Sequence, residues 1–176
     1  MIAPDPNLRD DAIELRQWLD SDVPEIVRGC SDPLVPRFMP VIPSPYTAAD
    51  AERFLEHSRT SPDDLNLAIS DHSGTVRGGI GVSIKPDLEV AETGYWLAPD
   101  ARGMGLATRA LRLLSAWTLR ETGVARLQLQ TDVENLASQA VAERAGFTRE
   151  AVLRDYMEHR GTRRDSVMFS LLPGES

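Results

Sequence analysis

One cysteine and one lysine in 176 residues set the first limits on this chain. Cys30 has no partner for an internal disulfide and no companions for a Cys-rich metal cluster. It is expected to be a small apolar filler in a reducing compartment. Lys85 is the only lysine among 19 basic residues, a bias that reads as the genomic composition of a GC-rich bacterium. Long apolar runs are missing as well: none approaches the roughly 18 residues of a membrane span. Asp5, Asp10 and Asp11 stand where a secretion signal would be basic. A cytoplasmic protein with no membrane partner is expected. Excess positive charge is absent, and a net charge of -8 argues against a broad nucleic-acid surface, because duplex binding is dominated by cationic contacts to phosphate. His57, His72 and His159 have no metal-ligand spacing with one another, so no metal is expected and they read as surface residues.

A chain of this length fits one domain, residues 1–176, and buries about 70% of the surface its unfolded form exposes. Ile13 to Trp18 alternates apolar with polar residues, as a half-buried strand does. Asp20, Ser21, Asp22 and Pro24 suit the start of a short helix to about Arg28. Prolines 33, 36, 40, 43 and 45 then predict a stiff loop without regular structure, carrying Leu34, Phe38, Met39 and Tyr46 either as walls of a substrate site or as core packing. Thr47 begins a second helix, with Asp50 and Glu52 in its first turns. Three antiparallel strands follow, from about Leu65, from Val76 to Ile84 and from Glu89 to Leu97, with turns at 71–74 and 85–87. Leu106, Ala110, Leu113, Leu114 and Trp117 recur at helical spacing up to a cap near Gly123. A strand over 125–130, a helix capped by Asn135 and ended by Gly146, and strands near 148–157 and 165–172 complete the chain. The fold class is α/β with a mixed sheet, and the strand, helix, strand passage around residue 105 predicts one parallel, right-handed crossover.

Between the third meander strand and the long helix lies Arg102-Gly103-Met104-Gly105-Leu106-Ala107. The first NH groups of a helix have no partner within it, and the summed peptide dipoles place about half a positive charge there. Glycines let a bulky anion approach that surface, so a phosphate-bearing ligand is expected. A P-loop is excluded, because no Gly-Lys-Ser/Thr follows the glycines. The dinucleotide fingerprint matches only in part, with Thr108 at its third glycine, although Asp132 lies where a ribose-binding acid could stand. An antiparallel meander leading into the motif argues against that fold.

In this setting the segment resembles the pyrophosphate signature of the GNAT superfamily of acyl-CoA-dependent N-acetyltransferases, Gln/Arg-x-x-Gly-x-Gly/Ala, through Arg102, Gly105 and Ala107. The resemblance extends to Asn135-Leu136-Ala137-Ser138 and Ala145-Gly146-Phe147. Glu92 to Leu97 and the Gly161 to Asp165 turn are most similar to the branch of ribosomal-protein alanine N-acetyltransferases of the RimJ/RimL type. It implies a mostly antiparallel central sheet, splayed at the cofactor site, with helices on both faces. It also implies acetyl transfer from acetyl-CoA to a primary amine by direct attack. The acceptor would be a protein N-terminus or a small molecule; a homodimer is compatible with the resemblance, though no residue argues for one.

By that resemblance the backbone of Arg102, Gly103, Met104, Gly105, Leu106, Ala107 and Thr108 would hold the coenzyme A pyrophosphate, with Asn135 on the second cofactor-side helix. The pantetheine arm would pair with free backbone at Trp96, Leu97 and Ala98, and the Leu97 NH would polarise the thioester carbonyl. Glu92, on the strand face of Gly94 and Trp96, is the candidate base, against the alternative of a solvated carboxylate. Many members of the family place a tyrosine seven residues after the asparagine to protonate the thiolate; here that position is Ala142. Ser138 is the nearby hydroxyl, either a partner of the thiolate or a cap contact, and Asn135 equally fits a plain N-cap. Two further functions stay open at this level: an acyl-CoA-binding module without catalysis, and a dinucleotide enzyme. Tyr156 is a further candidate for the acceptor site, against the alternative of a strand packing residue, and Arg160, Arg163 and Arg164 read as a solvated hairpin end.

Overall fold

The computed structural model describes residue 4 and residues 7–175, so Asp5 lies outside the described residues. Among the described residues eight strands form one sheet: β1 (Leu8–Arg9), β2 (Ile13–Arg16), β3 (Asp64–Asp71), β4 (Val76–Lys85), β5 (Val90–Leu97), β6 (Arg126–Asp132), β7 (Thr148–His159) and β8 (Thr162–Leu171). Their order is β1-β2-β3-β4-β5-β6-β8-β7, and only β5 and β6 run parallel. The helices are α1 (Val23–Cys30), α2 (Leu34–Phe38), α3 (Ala48–Thr60), α4 (Leu106–Glu121) and α5 (Leu136–Arg144). The expected mixed sheet and single parallel crossover are therefore present.

Helices α4 and α5 cover one face of the sheet. Ala110, Leu114 and Trp117 recur every three to four residues along α4 and, with Leu111 beside them, pack on Ile80, Val82, Ala91, Leu127 and Leu129, whose side chains share one face by strand alternation. Truncating a residue such as Leu114, which is fully buried, costs about 2–5 kcal/mol in comparable cores. Helices α1 and α3 cover the opposite face over a second core built on Trp18, Ile26, Tyr46, Leu55, Ala68 and Trp96. Trp18 and Trp96 stack at 6.3 Å. A Cβ on Gly79 would lie 2.9 Å from the Trp18 ring and 2.7 Å from the Trp96 indole nitrogen. That strand needs glycine to admit both indoles. Cys30 is buried in the same core, which pushes its thiol up to about 12.

Two expectations need correction. The proline-rich stretch is not wholly irregular, because α2 forms across it: Pro33 precedes the helix and Pro36 falls in its first turn, where no intrahelical NH bond is lost. Leu34, Phe38 and Met39 line the central cleft, whereas Tyr46 is core. Nor is the last hairpin simply solvated. Arg164 bonds the buried Asp132 at 3.0 Å, and Arg163 donates to the Asp155 and Tyr156 carbonyls. His159 is tied to the Pro36 carbonyl at 3.0 Å.

Candidate active site

Parallel pairing of β5 with β6 stops at Glu92 opposite Gln128. Beyond it β5 pairs only with β4, and β6 only with β8, so the sheet opens into a wedge. Backbone groups of a strand bond to its two sides alternately. The Ala98 NH bonds the Arg77 carbonyl on the β4 side, while the Glu89 carbonyl accepts from Ala125 on the β6 side. Odd-numbered residues therefore face β6, and beyond the split the amides of Tyr95 and Leu97 face the wedge. Of the three residues expected to pair with an extended ligand, only Leu97 is so turned. Ala98 bonds to β4, Trp96 faces the same way, and its side chain lies in the second core.

The wedge opens onto a cleft of about 1480 Å³ that reaches both faces of the sheet. At one end lies the start of α4. Gly103 and Gly105 adopt φ +76°, a backbone conformation side chains rarely accept, and a Cβ on either would meet open space. Gly103, Met104 and Gly105 are exposed just ahead of the 16-residue helix, whose first amides have no acceptor among the described residues. Leu106 and Ala107 are buried beneath that surface. Thr108 is buried too; it borders the cleft, and its buried hydroxyl has no partner among the described residues. Unspent amides, an unspent hydroxyl and glycine clearance together suit a phosphate group. Arg102, the signature's side chain, is spent on protein: its guanidinium pairs with Asp32 at 2.7 Å and donates to the Leu97 carbonyl at 3.1 Å.

Glu92 lies at the vertex of the wedge, on the face opposite α4. It accepts from Gln130 at 2.8 Å and Gln128 at 3.3 Å, and pairs with Lys85 at 3.3 Å. The Gln130 carbonyl oxygen is buried in the same cleft without a donor. Glu92 and Leu97 are five residues apart, about 17 Å along an extended strand, so they cannot act on one atom directly. The apolar rim on this side is Leu34, Phe38, Met39, Val41 and Phe54. Tyr156 does not line the cleft, although its neighbour Met157 does.

Across the wedge, Asn135 caps α5 by accepting from the Ser138 amide at 3.1 Å. Ser138 also receives the Tyr95 hydroxyl at 3.1 Å. Burial pushes the Tyr95 phenol up, outweighing the hydrogen bond to Ser138. Sequence reasoning missed Tyr95; its odd position on β5, opposite in parity to Glu92 and Trp96, was the signal that put it on the α4 and α5 face. Asp132 is engaged by Arg164 and the Glu134 amide, which removes it as a ribose ligand. Among the described residues no group of three or more potential metal ligands occurs.

A sheet splayed beside a glycine-led helix start is the arrangement that the resemblance to acyl-CoA-dependent transferases implies. The chain belongs to the acetyltransferase (GNAT) domain family, whose model matches residues 12–148. It is 39% identical over 85 residues to YdaF of Bacillus subtilis (strain 168), a protein named "Putative ribosomal N-acetyltransferase". That match takes in 48% of this chain and 46% of the relative, so it spans about half the relative's length. Among solved structures, the ribosomal L7/L12 α-N-protein acetyltransferase RimL in complex with coenzyme A superposes with TM-score 0.79 at 22% identity, covering 95% of this chain and 97% of that one. Spermidine N-acetyltransferase from Vibrio cholerae, in complex with coenzyme A and spermine, gives 0.81 at 17% identity over 94% and 98%. At these identities the two structures establish the fold.

Proposed function

We propose that this protein transfers the acetyl group of acetyl-CoA to a primary amine by direct attack, without a covalent enzyme intermediate. The observation that carries this reading is the wedge itself: two outward amides on β5, next to a helix start with unspent donors. The backbone from Gly103 to Thr108 holds the pyrophosphate, each charge-assisted hydrogen bond contributing about 1.5–3 kcal/mol. Arg102 positions this segment against Leu97.

The pantetheine arm then runs from α4 back along β5, meeting the Leu97 amide first and the Tyr95 amide second. This order shifts the oxyanion role from Leu97, the expected donor, to Tyr95, which lies nearer Glu92 and Ser138. Glu92 is three residues, about 10 Å, from Tyr95, so it takes the amine proton through intervening water. An α-amine of pKa about 8 needs far less deprotonation at neutral pH than a lysine at about 10.4. Ser138 hydrogen-bonds the departing thiolate.

For the acceptor we favour a protein N-terminal α-amine of the ribosomal-protein type, with a small-molecule amine as the other class tested. The names of YdaF and RimL support the first and that of the Vibrio cholerae enzyme the second. The reaction unit is one domain, residues 1–176. A cytoplasmic setting accords with the single, buried thiol. Coenzyme A release measured over N-terminal peptides, polyamines and amino-sugars tests the proposal. Turnover with at least one amine class is expected; acetyl-CoA binding with silence from every acceptor overturns catalysis in favour of a binding module.

A further inference from the structure

On the face covered by α4 and α5, a polar contact ties β5 to α5 across the wedge. Tyr95 leaves β5 on the α4 face and donates its phenol proton to Ser138 Oγ on α5, at 3.1 Å, and both residues line the cleft. The Ser138 amide is already used in capping, bonded to Asn135 Oδ1. Its hydroxyl has one proton and two lone pairs. Accepting from Tyr95 occupies a lone pair and leaves the proton to be placed. Deeper in a helix that proton goes to the carbonyl four residues back. Here that residue is Glu134, which precedes α5 and whose carbonyl accepts from the Leu136 amide. No protein acceptor for the Ser138 proton occurs among the described residues, and the side left open is the cleft.

Resting on the acetyl-transfer reading, we propose that Tyr95 is a positioning residue for the leaving group: its bond fixes the Ser138 hydroxyl so that the serine proton points at the sulfur as the C–S bond breaks. The amine nitrogen forms its bond to the thioester carbon, the tetrahedral adduct collapses, and the C–S electron pair passes to sulfur. Ser138 donates a hydrogen bond to that developing thiolate, which takes its final proton from solvent. The surplus ammonium proton leaves by way of Glu92. Tyr95 keeps its own proton throughout. Burial holds the phenol protonated across the range in which an α-amine becomes neutral. Donation by Tyr95 also polarises the serine hydroxyl, strengthening the second bond of the chain. The device stands in for a tyrosine on α5, where the corresponding position is the fully buried Ala142.

The test is a double-mutant cycle on kcat and on the KM for acetyl-CoA, with coenzyme A affinity measured by calorimetry. Ser138→Ala is expected to lower kcat about 10- to 30-fold and Tyr95→Phe about fivefold, each leaving KM and coenzyme A affinity within about twofold. The double variant should match Ser138→Ala within about twofold, because Tyr95 acts only through Ser138. Both losses should shrink with an acetyl thioester of a more acidic thiol, which needs less help to leave; a merely structural tie would not respond to the leaving group. Losses that multiply in the double variant, a loss falling on KM, or a Tyr95→Phe enzyme at the wild-type kcat would each overturn the proposal. A wild-type enzyme that turns over no amine would instead sink the acetyl-transfer reading beneath it.

Discussion

Arg102 donates to the Leu97 carbonyl at 3.1 Å while its guanidinium is held by Asp32 at 2.7 Å. The arginine of the glycine signature thus works on the strand end and on the α1–α2 connection. Three parts of the site meet at one side chain.

Arg102→Gln should raise the KM for acetyl-CoA about tenfold while changing kcat less, since it loosens the cofactor edge and not the reacting atoms. It should also lower stability by about 1 kcal/mol, because Asp32 loses its charged partner while mostly buried. Asp32→Asn, which keeps the size of the partner, should give a smaller shift in the same direction. Steady-state kinetics paired with thermal melts checks both.

Glu92→Gln should lower kcat/KM at pH 7 by about 10- to 100-fold with the KM for acetyl-CoA unchanged. The deficit should narrow as pH rises past the α-amine pKa of about 8, where the acceptor loses its proton to solvent unaided. A deficit constant from pH 6.5 to 9 would make Glu92 an anchor for Gln128, Gln130 and Lys85 and nothing more.

Asp71, the last residue of β3 before the turn into β4, accepts from Ser73, from Arg77 and from the Ser73 and Thr75 amides, which together hold its carboxyl at about 2. A depressed carboxylate pKa stabilises the fold above its unfolded value near 3.8 and loses that contribution as pH falls through the folded value. Acid melts between pH 5 and 2 should therefore lose about 1 kcal/mol from this group, after allowance for solvent screening. Asp71→Asn should remove that part of the pH dependence.

Local patterns were the legible part of the fold. Two-residue periodicity marked the β3–β5 meander, and helical spacing with a terminal glycine marked α4. Both signals lie within a few residues of each other. What could not be read depends on long-range pairing. Strand β8 sits between β6 and β7, an order no local pattern encodes, and β1 is only two residues long. Helix α2 escaped because prolines count against a helix except in its first turn, which is where they fall. The glycine segment and Glu92 were readable from their places on a strand and before a helix. The Tyr95–Ser138, Arg102–Asp32 and Arg164–Asp132 contacts span 43, 70 and 32 residues, and only the folded chain joins them.

The start of α4 beside the open edge of β5 is proposed as the coenzyme A site. Calorimetric titration of coenzyme A into the wild-type protein and Gly105→Glu tests it most directly, with thermal melts to account for the strain of a side chain at φ +76°. The wild type should bind coenzyme A, and the folded variant should bind at least tenfold more weakly, because a carboxylate then competes with phosphate for the helix amides. A folded Gly105→Glu protein that binds coenzyme A as tightly as the wild type would contradict the account.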